Sequence, residues 1–93
     1  MIRSFGDRET ERVWFGAVSR RLPRDIQTTA RRKLRMIHHS RTLVDLRAPP
    51  GNRLEKLRGR RKEWNSIRIN DQWRICFIWR DGDAFDVKIE DYH

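Results

Sequence analysis

The last three residues, Asp91, Tyr92 and His93, combine side chains that can move protons. An imidazole has a reference pKa of about 6.5, so it can donate or accept a proton near neutral pH, and a carboxylate can orient it or share the proton. Guanidinium groups, which bind phosphate and stabilise developing negative charge, are abundant upstream of this segment. Proton-transfer groups beside guanidiniums are what cleavage of an RNA phosphodiester requires, so we interpret this trio as a candidate catalytic segment.

The charge of the chain predicts a polyanionic partner. The formal net charge is +9, and 18 of the 22 basic residues are arginine, which favours bidentate contacts with phosphate. The densest basic block predicts an RNA-binding surface, with a general solvated basic face as the alternative reading. Its members are Lys56, Arg58, Arg60, Arg61 and Lys62.

Length and composition predict a single small domain. Ninety-three residues, 37% of them hydrophobic and including four Trp and four Phe, suffice for one core. Cys76 is the sole cysteine, which excludes an intrachain disulfide and predicts a small buried side chain. We see no signal peptide, long apolar run or metal-ligand spacing, so we expect a cytoplasmic protein that uses neither metal nor other cofactor.

Hydrophobic periodicity predicts an α+β domain of order β-α-α-β-β-β-β, with two helices on one face of a twisted, mainly antiparallel sheet of four to five strands. Asp81-Gly82 is a strong signal for a hairpin turn between the last two strands. The predicted helices span residues 8–18 and 23–38, and the predicted strands span residues 2–5, 54–57, 64–69, 73–80 and 84–90.

Burial fixes the register of the hairpin that begins near residue 64. A three-residue turn at residues 70–72 pairs Ile67 with Ile75 on the core face, whereas a two-residue turn would bring an arginine there. The favoured register sets Arg68 directly across from Arg74 on the opposite face. Like charges opposed in this way are unfavourable unless an anion lies between them, which predicts a pair that clamps a phosphate. The alternative is neutralisation by an acidic residue of the next strand, Asp86 or Glu90.

Residues 43–59, residues 66–77 and the Asp91-Tyr92-His93 end together resemble the HigB toxins of the RelE/ParE superfamily, and the resemblance spans nearly the whole chain, residues 1–93. It implies a compact RelE-like fold and a ribosome-dependent endoribonuclease that cleaves mRNA in the decoding site and arrests growth. It also implies a HigA-like helix-turn-helix antitoxin, and operator DNA would be bound only through that antitoxin. From its charge we further expect the basic block to dock on ribosomal RNA. By position it implies catalytic roles for Asp91, Tyr92, His93, Arg68 and Arg74.

Several alternatives stay open at the level of the sequence. Either His93 or Tyr92 can serve as general base, and Tyr92 can instead stack on a nucleobase. A ParE-like gyrase poison shares the fold without being a nuclease, and a non-catalytic basic nucleic-acid-binding module fits the charge equally well. The order in which protein synthesis stops and DNA breaks appear, and the presence of new mRNA 5′ ends, would separate these readings.

Overall fold

The computed structural model describes residues 1–61 and 63–92, with Arg60 described in its backbone only. Within these residues three α-helices precede a four-stranded antiparallel sheet, as the α+β prediction requires. The strands β1 (Glu55–Lys56), β2 (Trp64–Arg68), β3 (Trp73–Arg80) and β4 (Asp83–Asp91) lie side by side in chain order. A 3₁₀ turn, Gly59–Arg61, lies between β1 and β2.

Helix α1 (Arg8–Trp14) begins where the sequence predicted, because the Asp7 carboxylate accepts a 2.8 Å hydrogen bond from the Thr10 N–H. The predicted end at Val18 is wrong. Gly16 adopts a φ of 84°, its N–H bonds the Val13 carbonyl, and the following N–H reaches back to the Arg12 carbonyl. These two bonds form a Schellman motif, which ends the helix at a glycine whose left-handed conformation is free of a Cβ penalty.

Helix α2 (Arg24–His39) confirms the long amphipathic helix within one residue at each end. Its predicted apolar stripe is buried against the sheet, and Lys33 is buried beside that stripe. The connector that follows contains a third helix that the sequence analysis missed, α3 (Leu43–Arg47). Thr42 is its N-cap residue, and the Asp45 carboxylate accepts hydrogen bonds from the Arg41 and Thr42 N–H groups, which lower the pKa of Asp45.

The predicted first strand is wrong in extent, because residues 2–5 make two isolated parallel bridges with the outer edge of β4. Ile2 pairs with Ala84, and Phe5 pairs with Val87. Between these bridges Asp86 adopts a φ of 52°, and its N–H bonds the Ser4 hydroxyl at 2.9 Å instead of a backbone carbonyl. A continuous ladder therefore cannot form along this edge.

The hairpin predictions are confirmed. Asp81 and Gly82 have φ values of 51° and 81°, both positive as a type I′ turn requires, and they join β3 to β4. In the preceding hairpin Ile67 pairs with Ile75, and the Ile69 N–H bonds the Trp73 carbonyl at 2.8 Å, which is the three-residue register. The helices cover the isoleucine face of the sheet, where the core lies. Its fully buried side chains include Leu34, Ile37, Leu46, Ile67, Ile75, Phe77 and Val87.

Candidate functional site

The face of the sheet opposite the helices carries the candidate site, and we call it the arginine face. Arg68 of β2 pairs directly with Arg74 of β3, as the register argument predicted. Successive side chains of a strand alternate between faces, so Ser66 joins these two arginines on this side of the sheet. Glu90 also lies here, because it pairs with Arg74 across β3 and β4.

Arg74 is held rigidly within this face and is only 6% exposed. Its Nε donates a 2.8 Å hydrogen bond to the Ser66 hydroxyl, and its Nη2 donates to the carbonyls of Arg53 at 2.5 Å and Ser66 at 3.2 Å. None of the hydrogen bonds that Arg74 donates to described residues comes from Nη1. The guanidinium therefore has a fixed orientation and one nitrogen that remains for another acceptor.

Arg68 is the more accessible of the pair, with its side chain 30% exposed. Its guanidinium forms a hydrogen-bonded ion pair with the fully exposed Asp71 carboxylate in the hairpin turn. Among the described residues, the carboxylate nearest Arg74 is that of Glu55, 4.0 Å from Nη2. Within the same part of the chain, the acidic side chains of the next strand are engaged elsewhere. Glu90 bonds Arg61 at 3.0 Å, and the Asp86 carboxylate accepts a 3.3 Å hydrogen bond from the Ser4 hydroxyl.

Tyr92 lies beside the buried arginine. The Cζ of Arg74 is 5.5 Å from the centroid of the Tyr92 ring, within the range of a cation–π contact. The Tyr92 N–H donates a 2.6 Å hydrogen bond to the Gln72 carbonyl, which fixes Tyr92 against the hairpin turn. The structure thus brings Tyr92 close to Arg74, which pairs with Arg68 in the hairpin about 20 residues earlier in the sequence.

Asp91 does not share this face. It pairs with Trp73, whose side chain packs toward the core, and its carboxylate accepts a 3.1 Å hydrogen bond from the Gln72 side-chain amide. Alternation along β4 therefore sends the Asp91 and Tyr92 side chains to opposite faces of the sheet. His93, the third residue of the predicted catalytic trio, lies outside the described residues.

The basic block contributes unevenly to the arginine face. Lys56 and Arg58 are exposed and line a groove of about 490 Å³ together with Glu55, Leu57 and Tyr92, which we call the Tyr92 groove. Arg61 is partly buried, bonds Glu90 and lies 4.5 Å from the centroid of the Trp64 ring, so its charge is already paired. Lys62 and the side chain of Arg60 lie outside the described residues.

Two buried titratable groups adjoin the site. Burial, with a smaller contribution from the Glu90 carboxylate, raises the pKa of the Cys76 thiol to about 12, so this thiol stays protonated. Burial also lowers the pKa of Lys33, and the nearby charges of Arg32, Arg68 and Arg74 act in the same direction. Lys33 is 5% exposed and donates hydrogen bonds to the Arg68 carbonyl at 2.5 Å and the Gly51 carbonyl at 3.3 Å.

Ser66 and Lys33 are site residues that the sequence analysis did not identify. Ser66 could have been found, because it shares its parity in β2 with Arg68 and therefore its face. Lys33 gives no such signal, because a lysine on an amphipathic helix ordinarily faces water. The Arg53 carbonyl accepts a hydrogen bond from Arg74 only because of the path of its loop, which the residue types do not indicate.

The part of the chain that the structure describes contains no group of three His, Cys, Asp or Glu side chains arranged to hold a metal ion. Among the same residues, no helix has the length and apolar character of a membrane span. Both findings concern residues 1–61 and 63–92.

Comparison with known proteins gives a consistent assignment. Residues 3–93 match the family model described as the RelE-like toxin of type II toxin–antitoxin system HigB. The protein named Toxin HigB-1 from Vibrio cholerae serotype O1 is 38% identical over 91 residues, which cover 97% of this chain and 96% of that protein. The Endoribonuclease HigB of Proteus vulgaris is 42% identical over 41 residues, which cover 44% of this chain and 45% of that protein. This chain therefore belongs to the HigB family of RelE-like toxins of type II toxin–antitoxin systems.

Proposed function

We propose that this toxin is a ribosome-dependent endoribonuclease that cleaves translated mRNA in the decoding site and thereby stops translation and growth. One observation carries the proposal: a buried guanidinium, fixed by three hydrogen bonds, lies beside a tyrosine ring on an open, basic face of the sheet. The name of the Proteus vulgaris relative supports the same activity.

Arg74 is the group we propose for stabilising the transition state. When the ribose 2′-hydroxyl attacks the scissile phosphate, a dianionic phosphorane develops, and a preorganised cation stabilises that charge without reorganising. Arg74 meets this requirement because its Nε and Nη2 are anchored and Nη1 remains for a phosphate oxygen. Arg68 supplies the second contact after it exchanges the exposed Asp71 carboxylate for the phosphate. Solvent screens that exposed ion pair, so little free energy opposes the exchange.

Proton transfer is proposed for Tyr92 and His93. The attacking hydroxyl must lose a proton and the departing 5′-oxygen must gain one, so a base and an acid are both needed. The phenol of Tyr92 lies beside the Arg74 guanidinium, where it can reach a phosphate bound there. The sequence places an imidazole at the next position, and the route needs no metal ion. Asp91, on the other side of β4, is proposed to fix the end of β4 through its hydrogen bond with Gln72.

The exposed cations of the Tyr92 groove are proposed to bind mRNA and ribosomal RNA. Lys56 and Arg58 are exposed and form no ion pair with another residue that the structure describes, so they can contact phosphates. The sequence adds Arg60 and Lys62 to this block, whereas Arg61 is engaged by Glu90. Binding of this kind releases counterions from the RNA, so its affinity falls steeply as the salt concentration rises. Lys56→Glu with Arg58→Glu is therefore expected to lower ribosome association more than Arg61→Ala does.

The decisive experiment maps mRNA 5′ ends after induction of the toxin in growing cells. We expect new ends at a fixed position within codons of translated messages, and their loss in Arg74→Ala. Arg47→Ala is the matched control, because it removes an exposed arginine at the end of α3. DNA breaks that precede the arrest of protein synthesis, or an arrest without new mRNA ends, would overturn the proposal.

We further propose that a HigA-like helix-turn-helix antitoxin neutralises the toxin and alone mediates binding to operator DNA. Co-expression of the antitoxin should restore growth. His93→Ala should abolish growth arrest, because the imidazole proposed for proton transfer would be lost, while the variant should still co-purify with the antitoxin. Undiminished arrest by this variant would remove His93 from the mechanism.

A further inference from the structure

A second pocket lies on the opposite side of β1 from the arginine face. Lys56 belongs to the linings of both this pocket and the Tyr92 groove, so the two meet at the exposed edge of the sheet. Its volume is about 390 Å³, within the range of small-ligand sites. We call it the edge pocket, and it is lined by Leu43, Lys56, Glu63, Asn65, Trp79 and Arg80.

Asn65 is the unusual member of this lining. It is 6% exposed as a residue, and no hydrogen bond joins its side-chain amide to another residue that the structure describes, although its amide atoms are not among the buried ones that lack a partner. The amide therefore remains accessible from the pocket, where it can hydrogen-bond a ligand. The amide offers two donors and one acceptor side by side, the pattern that complements the edge of a nucleobase.

Trp79 provides an aromatic surface in the same pocket. Its ring packs edge-on against the buried ring of Phe77, with centroids 6.3 Å apart and planes at 74°, which holds the indole in place. Stacking of unpaired bases on fixed aromatic rings is the usual means of binding single-stranded RNA. Lys56 and Arg80, both exposed at the pocket, supply positive charge. Among the described residues, the ion pair that Arg80 forms is with the exposed Glu63, at 3.2 Å.

We propose that the edge pocket binds one unpaired nucleotide of RNA, with the base stacked on Trp79, its edge hydrogen-bonded by Asn65, and its phosphate near Lys56 and Arg80. This inference rests on the proposed function, because the nucleotide would belong to the RNA strand that the Tyr92 groove holds. The strand would pass from one side of β1 to the other at Lys56, which adjoins both cavities. The pocket would thus select a base that flanks the cleaved bond.

The test is an NMR titration of the purified toxin with single nucleoside 5′-monophosphates, followed at the Asn65 side-chain amide and the Trp79 indole N–H. We expect saturable shifts of both signals, and at least tenfold weaker binding of ribose 5-phosphate, which has the phosphate but no base. Asn65→Ala and Trp79→Leu should each weaken nucleotide binding about tenfold. The matched control, Phe15→Leu, removes an exposed aromatic ring at the end of α1 and should leave the affinity unchanged.

The titration tests the edge pocket, and the cleavage assay tests the proposed function. Signals that do not move at millimolar nucleotide, or equal affinity for ribose 5-phosphate, would overturn the edge pocket as a base site even if the variants fold poorly, because the titration uses the wild-type chain. Signals that respond to the antitoxin and not to nucleotides would also overturn it and assign the pocket to that partner. Cleavage of mRNA is measured separately, so its absence would refute the proposed function and not this binding site.

Discussion

Replacing Ser66 by alanine should disable the toxin by releasing Arg74. Ser66 is fully buried, and its hydroxyl accepts the 2.8 Å hydrogen bond from Nε of Arg74, itself 6% exposed. A hydrogen bond to a charged group contributes about 1.5–3 kcal/mol to stability, and an unpaired buried donor loses most of that amount. The two carbonyl bonds of Nη2 persist in the variant, so we expect a loss of about 2 kcal/mol in the free energy of unfolding.

The activity should fall along with the stability. With Nε unanchored, the guanidinium can rotate about its Nη2 contacts, so its remaining nitrogen no longer meets the phosphate in one orientation. A loss of about 1.4 kcal/mol in transition-state stabilisation corresponds to a tenfold lower cleavage rate, and we expect at least this decrease. Urea denaturation followed by tryptophan fluorescence gives the free energy, and cleavage of mRNA on purified ribosomes gives the rate.

A second buried serine provides the matched control. The Ser40 hydroxyl donates a 2.6 Å hydrogen bond to the Met36 carbonyl at the end of α2, away from the arginine face. Ser40→Ala should cost about 1 kcal/mol and leave the cleavage rate unchanged. A double-mutant cycle of Ser66→Ala with Arg74→Met isolates the pair, and we expect a coupling of about 1.5–3 kcal/mol. A coupling near zero together with full activity of Ser66→Ala would refute the reasoning.

Three further outcomes follow from buried groups. Cys76, whose pKa is raised to about 12, should resist alkylation at pH 8 in the native protein and react rapidly in 6 M guanidinium; rapid native alkylation would contradict this. Thr10→Val should cost about 1–3 kcal/mol in urea denaturation, because the Thr10 hydroxyl accepts the buried Ile89 N–H at 2.9 Å, whereas the exposed Thr28→Val should cost little. Folding lowers the pKa of Lys33, so between that lowered pKa and about 10.5 the unfolded chain binds more protons than the folded chain. The contribution of Lys33 to the free energy of unfolding therefore rises with pH in this range. Lys33→Met should remove that rise, which denaturation at several pH values would measure.

The local signals in the sequence predicted well wherever one short segment settles the structure. Asp81-Gly82 specifies a tight hairpin because both residues accept positive φ, and the apolar stripe of α2 follows from helical spacing. The predicted end of α1 failed for an equally local reason, because Gly16 ends the helix and was not recognised as a C-terminal signal.

The pairing of Arg68 with Arg74 was predictable because burying Ile67 and Ile75 leaves only one register. Their environment was not predictable, because Arg74 is fixed by the Arg53 carbonyl and approached by Tyr92, residues that only the folded loop and the end of β4 bring near. The sequence by itself thus determined the family, the register and the side of the sheet on which the arginines lie. Only the tertiary structure decided which of them is buried and which partner each one binds, because burial and pairing depend on contacts between segments far apart along the chain.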